Sequence, residues 1–484
     1  MGKMRQTDPV FLTADIRRIE QAAGGVTPSL MERAGSAAAD LAGELVSGKS
    51  KDILVLAGPG NNGGDARIAA ARLEEKFFRV TLVSDPREPP PDRSWGLVID
   101  GLFGIGLARN ITGDYARLVE YANRQRCPVL AIDVPSGIQS DTGQVLGCAV
   151  RATHTLTFIG LKPGLLTLDG PDHCGEIRVD PLGIETGKAA AWVAGPGLFQ
   201  DVLKPRPRNF HKGMAGTLGV LGGARGMTGA ALLAGRAALR LGAGRVYVGF
   251  LQEEPPVDFG APELMLRHAD DVLGMDLDAV VAGPGIGRSD HAATLVGAVL
   301  ASELPCVLDA DALNLMEDDA DLRDACARRR AEPLRTPHPA EAGRLLGLSI
   351  GEIQADRLAA ARALAQRYNA HVVLKGNGSV LMARDGHLFV NTTGNAGMAS
   401  AGMGDVLSGI LGALLAQRCS GESALVLGVH LHGAAADALA ASGTGPVGIT
   451  ASEVADRARV LWNQWINRGQ SPNSNSGSDP DLRS

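Results

Sequence analysis

Asp405 is preceded by Ala401-Gly402-Met403-Gly404 and followed by a segment in which Val406, Leu407, Ile410, Leu411 and Leu414 recur at three- and four-residue spacing. That spacing predicts a buried helix, and the small residues before it would bring free backbone N–H groups to its N-terminus. Such an arrangement suits an anion such as a phosphate, with Asp405 as a carboxylate beside it. A plainer account is a Gly-rich turn in which Asp405 only complements the helix dipole, worth about 0.3–1 kcal/mol. The stretch from Asn391 to Leu415, NTTGNAGMASAGMGDVLSGILGALL, is far more specific than a lone glycine turn, and it favours phosphoryl transfer.

A second set of polar residues lies in the first third of the chain. Ile53 to Ala57 is a continuous apolar run of strand length, and it ends in GPGNNGGD. Asn61, Asn62 and Asp65 thus offer oxygens and amides at the carboxyl end of a predicted strand, where open α/β sheets place ligands. The turn is neither GxGxxG nor a loop with GK[ST], so it supports neither a dinucleotide fingerprint nor a P-loop. Two further runs end in a carboxylate, at Asp100 in VIDGLFGIG and at Asp133 in AIDVPSG. Singly such residues cap loops; three polar strand ends together predict a crevice.

The later part of the chain repeats this layout without repeating a motif. Runs ending in GGARGMTG, AGPGIG, LDADALN, RTPHPAE and LKGNGS put Gly285, Asp309, Asp311, His338 and Lys375 at strand ends. Each has an ordinary reading: Asp309 and Asp311 as strand terminators, His338 as a rigid loop residue between prolines, Lys375-Gly376 as a short turn. His211-Lys212 reads as a solvated turn.

The elements that must position these groups are legible by period. Ile16, Ile19 and Ala23 suggest a short helix, and Thr27-Pro28 suggests the cap and first turn of another carrying Leu30, Ala34, Leu41 and Leu45. Strands are expected at 80–83, 97–100, 129–133 and 155–159, and helices around Val426–Ala434 and 449–468. With 484 residues, 63 Gly, 45% hydrophobic and 4% aromatic residues, two Ala/Gly-rich α/β domains are the natural expectation. The composition shifts at Glu185-Thr-Gly-Lys, placing the boundary near 190: domains at 1–190 and 191–468, each with its own core, and a disordered tail at 469–484. A net charge of −6 gives no electrostatic case for nucleic acid or an anionic membrane. Six scattered cysteines read as reduced thiols, and neither a signal peptide nor a membrane span is evident, so a soluble cytoplasmic protein is expected.

GMASAGMGDVLSG resembles the signature of ribokinase-like ADP- or ATP-dependent NAD(P)H-hydrate dehydratases, and FHKGxxG at Phe210 fits their entry motif. NNGGD, DGLFGIG and DVPSG together resemble NAD(P)H-hydrate epimerase domains. The resemblance covers roughly residues 11 to 468. It implies two three-layer αβα domains: a Rossmann-like doubly wound domain interconverting the R and S hydrates of NADH and NADPH, and a ribokinase-like domain dehydrating the S form with ADP.

By the same resemblance Asp405 is the base that deprotonates the substrate hydroxyl. Asn61, Asn62, Gly63, Gly64, Asp65, Gly104, Ile105, Gly106, Leu107, Ala108, Arg109, Asn110 and Asp133 line the first substrate site, with Asp133 as acid/base. Asn62, Asp100 and Ser136 hold potassium. Ala230, Gly285, His338 and Asp405 meet the second substrate. Lys375, Gly376, Asn377, Gly378, Ser379, Asn395, Gly397, Met398, Gly402 and Gly404 meet ADP, with Mg2+ as a further cofactor. A homo-oligomer is also implied. Ala66, Ile105 and Met403 depart from the family pattern, and the last two lack hydroxyls usual there. The competing reading is a ribokinase-like kinase of a vitamin precursor with an N-terminal binding domain.

Overall fold

The computed structural model describes residues 2–3, 8–46 and 50–468, so the expected tail at 469–484 lies outside the described residues. Two sheets organise the chain. The first runs Gly2–Lys3, Glu176–Asp180, His154–Phe158, Val129–Ile132, Leu97–Gly101, Asp52–Ala57, Arg79–Val83 in spatial order. All neighbours are parallel except the first pair. Strand order reverses around Asp52–Ala57, so a crevice opens beyond its carboxyl end and that of Leu97–Gly101.

The second sheet has eleven strands. Met265–His268, Arg245–Phe250, Thr217–Gly222, Ala279–Ala282, Cys306–Leu308, Pro333–Arg335 and His371–Leu374 form its parallel part. The antiparallel hairpin strands Ser379–Met382 and Leu388–Asn391 follow, then Ala191–Val193 and Pro9–Val10. Here the order reverses around Thr217–Gly222. Both faces are covered, and successive strand residues divide between them: Ala279 and Val281 join one core cluster, Val280 and Ala282 the other. Burying each Val or Leu of this kind stabilises by roughly 1.5–3 kcal/mol.

The helix Met403–Ala416 lies within the second sheet's helical layer, and its seating depends on Gly409. A Cβ there would meet the Ala234 carbonyl oxygen of helix Thr228–Arg240 at 2.1 Å. This close approach sets where the residues at the start of helix Met403–Ala416 stand over the strand ends.

Each part of the chain has core clusters of its own, and one further cluster joins the two parts. Val10, Leu161, Leu165 and Leu166 share one buried cluster with Val193, Leu374 and Val390, and Pro9–Val10 is a strand of the second sheet although it precedes the first helix, Thr13–Ala22. Two local expectations also change. The second helix begins at Leu30, and Ser29, not Thr27, caps it: Glu32 N donates to Ser29 Oγ at 3.3 Å while Glu32 Oε2 accepts from Ser29 N at 2.8 Å. Helix Gly421–Ala441 is long and apolar enough to cross a membrane by length and composition, contrary to the reading that no segment is, but 67% of that window is buried inside the protein.

Candidate active sites

Beyond the first sheet's carboxyl ends is a cavity of about 640 Å³. Asn61, Asn62, Asp65, Gly104, Ile105, Gly106, Leu107, Ala108, Arg109 and Asp133 line it. Asn61 to Asp65 form the first turn of helix Asn61–Glu75, so these polar groups are displayed by a helix start instead of a free loop. Gly63 packs against Gly58 and Gly64 against Met31, and neither they nor Asn110 are among the lining residues.

Asp133 follows strand Val129–Ile132 with a φ of +67°, a conformation that favours glycine and commonly marks a functional constraint. Its Oδ1 accepts from Lys162 Nζ at 2.5 Å. Lys162 is fully buried and donates also to Thr157 Oγ1 and the Phe158 carbonyl, both at 2.8 Å. Glu20, from the first helix, and Asp65 face the same cavity. Burial, then the charges of Asp133 and Glu20, pushes the Asp65 carboxyl up to about 8; burial and then Asp133 raise Glu20. Asp65 is therefore a carboxylic acid at neutral pH, able to donate a proton, while Asp133 is held by an ammonium. Two carboxyls in contrasting environments are a suitable pair for general acid/base chemistry.

Asn62, Asp100 and Ser136 are buried at the floor of this crevice. Asp100 Oδ1 accepts from Ser136 Oγ at 2.6 Å and Oδ2 from Ser136 N at 2.8 Å. Burial nevertheless pushes its carboxyl up to about 6. Both side-chain polar atoms of Asn62 are buried without a partner among the described residues.

The second crevice lies where the loops after Thr217–Gly222, Ala279–Ala282, Cys306–Leu308, Pro333–Arg335 and His371–Leu374 meet the start of helix Met403–Ala416. The first-turn N–H groups of that helix have no intrahelical partner. Asp309 is buried; its Oδ1 accepts from Lys375 Nζ at 2.9 Å and its Oδ2 from Ser408 Oγ at 2.7 Å. Burial opposes both charges, but their attraction prevails, holding Asp309 below and Lys375 above its ordinary range. Gly404 adjoins this pair: a Cβ on it would be 3.5 Å from both Asp309 Oδ2 and Lys375 Nζ. Burial, followed by the charge of Asp309, pushes Asp405 up to about 6. Between Asp309 and Asp311, Ala310 has a φ of +47°, backbone strain costing on the order of 1–3 kcal/mol. Asp311 Oδ2 accepts from Gly287 N at 3.0 Å and so ties down the loop that carries Gly285. A Cβ on Gly285 would meet that of Ala230 at 3.2 Å, placing those two residues side by side.

His338 is a helix cap. Its Nδ1 accepts from Ala340 N at 3.1 Å and Glu341 N at 3.3 Å at the start of helix Pro339–Leu346. Burial and then the charge of Lys375 lower its pKa, keeping it neutral. The loops carrying Gly376 to Ser379 and Asn395 to Met398 are both braced from elsewhere. Asp437 accepts from Gly394 N at 2.8 Å and Asn395 Nδ2 at 2.9 Å, and Asn395 Oδ1 accepts from Gly397 N at 3.0 Å. His211 and Lys212 are exposed before strand Thr217–Gly222, at the end of the sheet away from this crevice.

Sequence reasoning missed Lys162, Glu20 and Asp437. A single Lys inside the apolar run TLTFIGLKPGLLTL was a usable signal for the first, since an unpaired charge there would be costly. Glu20 sits in a helix rich in charges and carries no local mark.

Residues 218–458 match a family model described as NAD(P)H-hydrate dehydratase, and residues 27–95 and 84–164 match one described as YjeF-related protein N-terminus. The chain is similar to the bifunctional NAD(P)H-hydrate repair enzyme Nnr of Escherichia coli, 39% identical over 475 residues, covering 89% of this chain and 90% of that protein. It is similar to the protein of that name from Coxiella burnetii, 39% identical over 86% of this chain and 91% of the relative. The ADP-dependent (S)-NAD(P)H-hydrate dehydratase of Neisseria meningitidis is 45% identical over 271 residues, 55% of this chain and 91% of that protein. Long similarity to two-activity relatives, and separate matches for the parts of the chain that carry the two crevices, lead to one assignment: this chain belongs to the family of bifunctional NAD(P)H-hydrate repair enzymes.

Proposed function

We propose that the protein restores hydrated NADH and NADPH at two sites: the first interconverts the R and S forms at C6, and the second dehydrates the S form with ADP, giving AMP, phosphate and the reduced dinucleotide. The observation that carries this reading is the placement of Asp405, a carboxylate at the start of helix Met403–Ala416 beside the Lys375–Asp309 pair.

The chemistry accounts for the residue types. Hydroxide is a poor leaving group, so the C6 hydroxyl is first phosphorylated. Asp405 accepts the hydroxyl proton, a role worth on the order of 10²–10⁴-fold. N–H groups of residues 402 to 405 carry charge on the transferred phosphoryl, where losing one such donor costs about 10²–10³-fold. The ring nitrogen lone pair then expels phosphate, and loss of a C5 proton restores the double bond. Lys375 serves the developing phosphate charge, and loops 376–379 and 395–398 hold the nucleotide. Both Asp309 oxygens are taken up by Lys375 and Ser408, so Mg2+ carried in with the diphosphate would be held mainly by phosphate oxygens and water.

In the first crevice the protonated Asp65 gives its proton to the C6 hydroxyl as the ring nitrogen lone pair expels it as water, and Asp133 takes a proton from the water that returns to either face of C6. Asn62, Asp100 and Ser136 fit a potassium ion: among the described residues the buried Asp100 carboxyl has no cationic partner and the Asn62 amide oxygen is unpaired, hard oxygen donors that a monovalent cation would satisfy. When bound, that ion neutralises Asp100 and fixes the crevice floor. No disulfide joins the six cysteines among the described residues, as a reducing compartment such as the cytoplasm allows.

The test is to supply purified S hydrate of NADH with ADP and to measure NADH, AMP and phosphate. One of each per turnover supports the reading. A stable phosphorylated product without phosphate release would instead identify a kinase.

A further inference from the structure

The loop Gly376–Ser379 is not shaped by its own domain alone. Gly378 has a φ of +62°, and a Cβ on it would meet the Leu166 carbonyl oxygen at 1.9 Å and Thr167 Cα at 2.5 Å. The N-terminal part of the chain thus presses backbone to backbone on this loop. Leu168 N donates to the Asn377 carbonyl at 3.1 Å, and Asn377 Nδ2 returns a bond to the Leu168 carbonyl at 2.7 Å. The buried Thr167 hydroxyl points its proton at the Asn377 and Gly378 carbonyls, at 3.1 and 2.9 Å. The same hydroxyl accepts from Arg357 Nε at 3.0 Å.

Arg357 is fully buried and extends the brace. Its Nη2 donates to the Leu374 and Lys375 carbonyls at 3.2 and 3.3 Å, and its Nη1 to Gln354 at 2.7 Å. The guanidinium lies against Gly376, where a Cβ would be 2.7 Å from both terminal nitrogens. At its other end the clamping segment is anchored by Lys162, whose ammonium is bound to Asp133, Thr157 and Phe158. Leu165 and Leu166 between these anchors are buried in the cluster shared by the two sheets.

We propose that segment Leu166–Leu168 completes the nucleotide site of the second crevice, with Thr167 and Arg357 as positioning residues that hold loop Gly376–Ser379 in its nucleotide-binding shape. The inference rests on the reading of that loop as the ADP loop. A domain that carries out epimerisation therefore also sets the ADP affinity of the dehydratase. Neither Thr167 nor Arg357 is required to touch the reacting atoms, so the effect falls on KM for ADP and not on the chemical step.

The experiment uses the full chain with Thr167→Val, which keeps volume and removes the hydroxyl, and Thr167→Ser, which restores it. KM for ADP should rise on the order of tenfold in the valine variant, as for a buried hydrogen-bond partner lost. The kcat of dehydration at saturating ADP and the rate of epimerisation should stay within about twofold, and the serine variant should recover wild-type KM. Gln354→Ala, which removes an acceptor of Arg357 without altering loop Gly376–Ser379, should raise KM in the same direction and guards against misfolding of the valine variant. Hydrogen exchange of residues 375–379 in the wild type with and without ADP separates the two levels of the argument. If ADP protects that loop but Thr167→Val and Gln354→Ala keep wild-type KM, the positioning role is overturned while the loop reading stands. If ADP leaves the loop unprotected, both are overturned.

Discussion

Replacing Asp405 with Asn keeps the shape of the helix start and removes only the ability to accept a proton. Because burial and the neighbouring Asp309 push the wild-type carboxyl up to about 6, the base is ionised at neutral pH and lost below it. One pH unit below that value only about a tenth of molecules carry the base, so kcat for dehydration should fall about tenfold per unit on the acid side. The Asn variant should lose on the order of 10²–10⁴-fold at neutral pH, and what activity remains should lack the acid limb. The assay is NADH absorbance with pure S hydrate at saturating ADP, so that Asp65 and the epimerising crevice do not enter the profile. ADP binding, measured separately by calorimetry, should change little. Residual dehydration above a tenth of wild type, or an unchanged acid limb in Asp405→Asn, would refute the assignment of Asp405 as the base.

Exchanging potassium for sodium should slow epimerisation while leaving dehydration nearly unchanged, and Asn62→Leu should abolish that ion dependence; an epimerisation rate indifferent to the ion would remove the cation from the account. Asp65 gives a stability prediction with a definite sign. Its folded-state pKa of about 8 lies above the ordinary carboxyl value of 3.8, so the folded protein holds a proton the unfolded chain has lost between those values. Stability should therefore fall as pH rises through that window, and Asp65→Asn should flatten the fall. Urea unfolding at several pH values reads it, and an identical pH slope in the two proteins would contradict a protonated Asp65.

Much of this architecture could be read from short-range signals. Apolar runs ending in Gly and Asp located strand ends such as Asp100 and Asp309, because chain direction alone puts ligands at the carboxyl ends of parallel strands. What escaped detection depends on long-range partners. Lys162 is a site residue because Asp133 stands 29 residues before it. Asp437 braces Asn395 from a helix 42 residues later. Pro9–Val10 has no strand pattern of its own and acquires its role from Ala191–Val193. His338 shows the reverse case: its place between prolines marked a rigid loop, but only the fold shows its Nδ1 spent on capping a helix. Thr27-Pro28 misled because a good cap signal lay two residues from a better one at Ser29.

The most direct test of the two-site account supplies the R hydrate of NADH alone, with ADP and potassium, to the single purified chain. The account predicts that NADH returns to completion, with AMP and phosphate formed one for one. It also predicts that, at saturating ADP, Lys162→Met, which strips Asp133 of its ammonium, slows recovery from the R form while leaving recovery from the S form intact. An R hydrate that persists at its spontaneous epimerisation rate, or that is consumed equally fast by wild type and Lys162→Met, would contradict it.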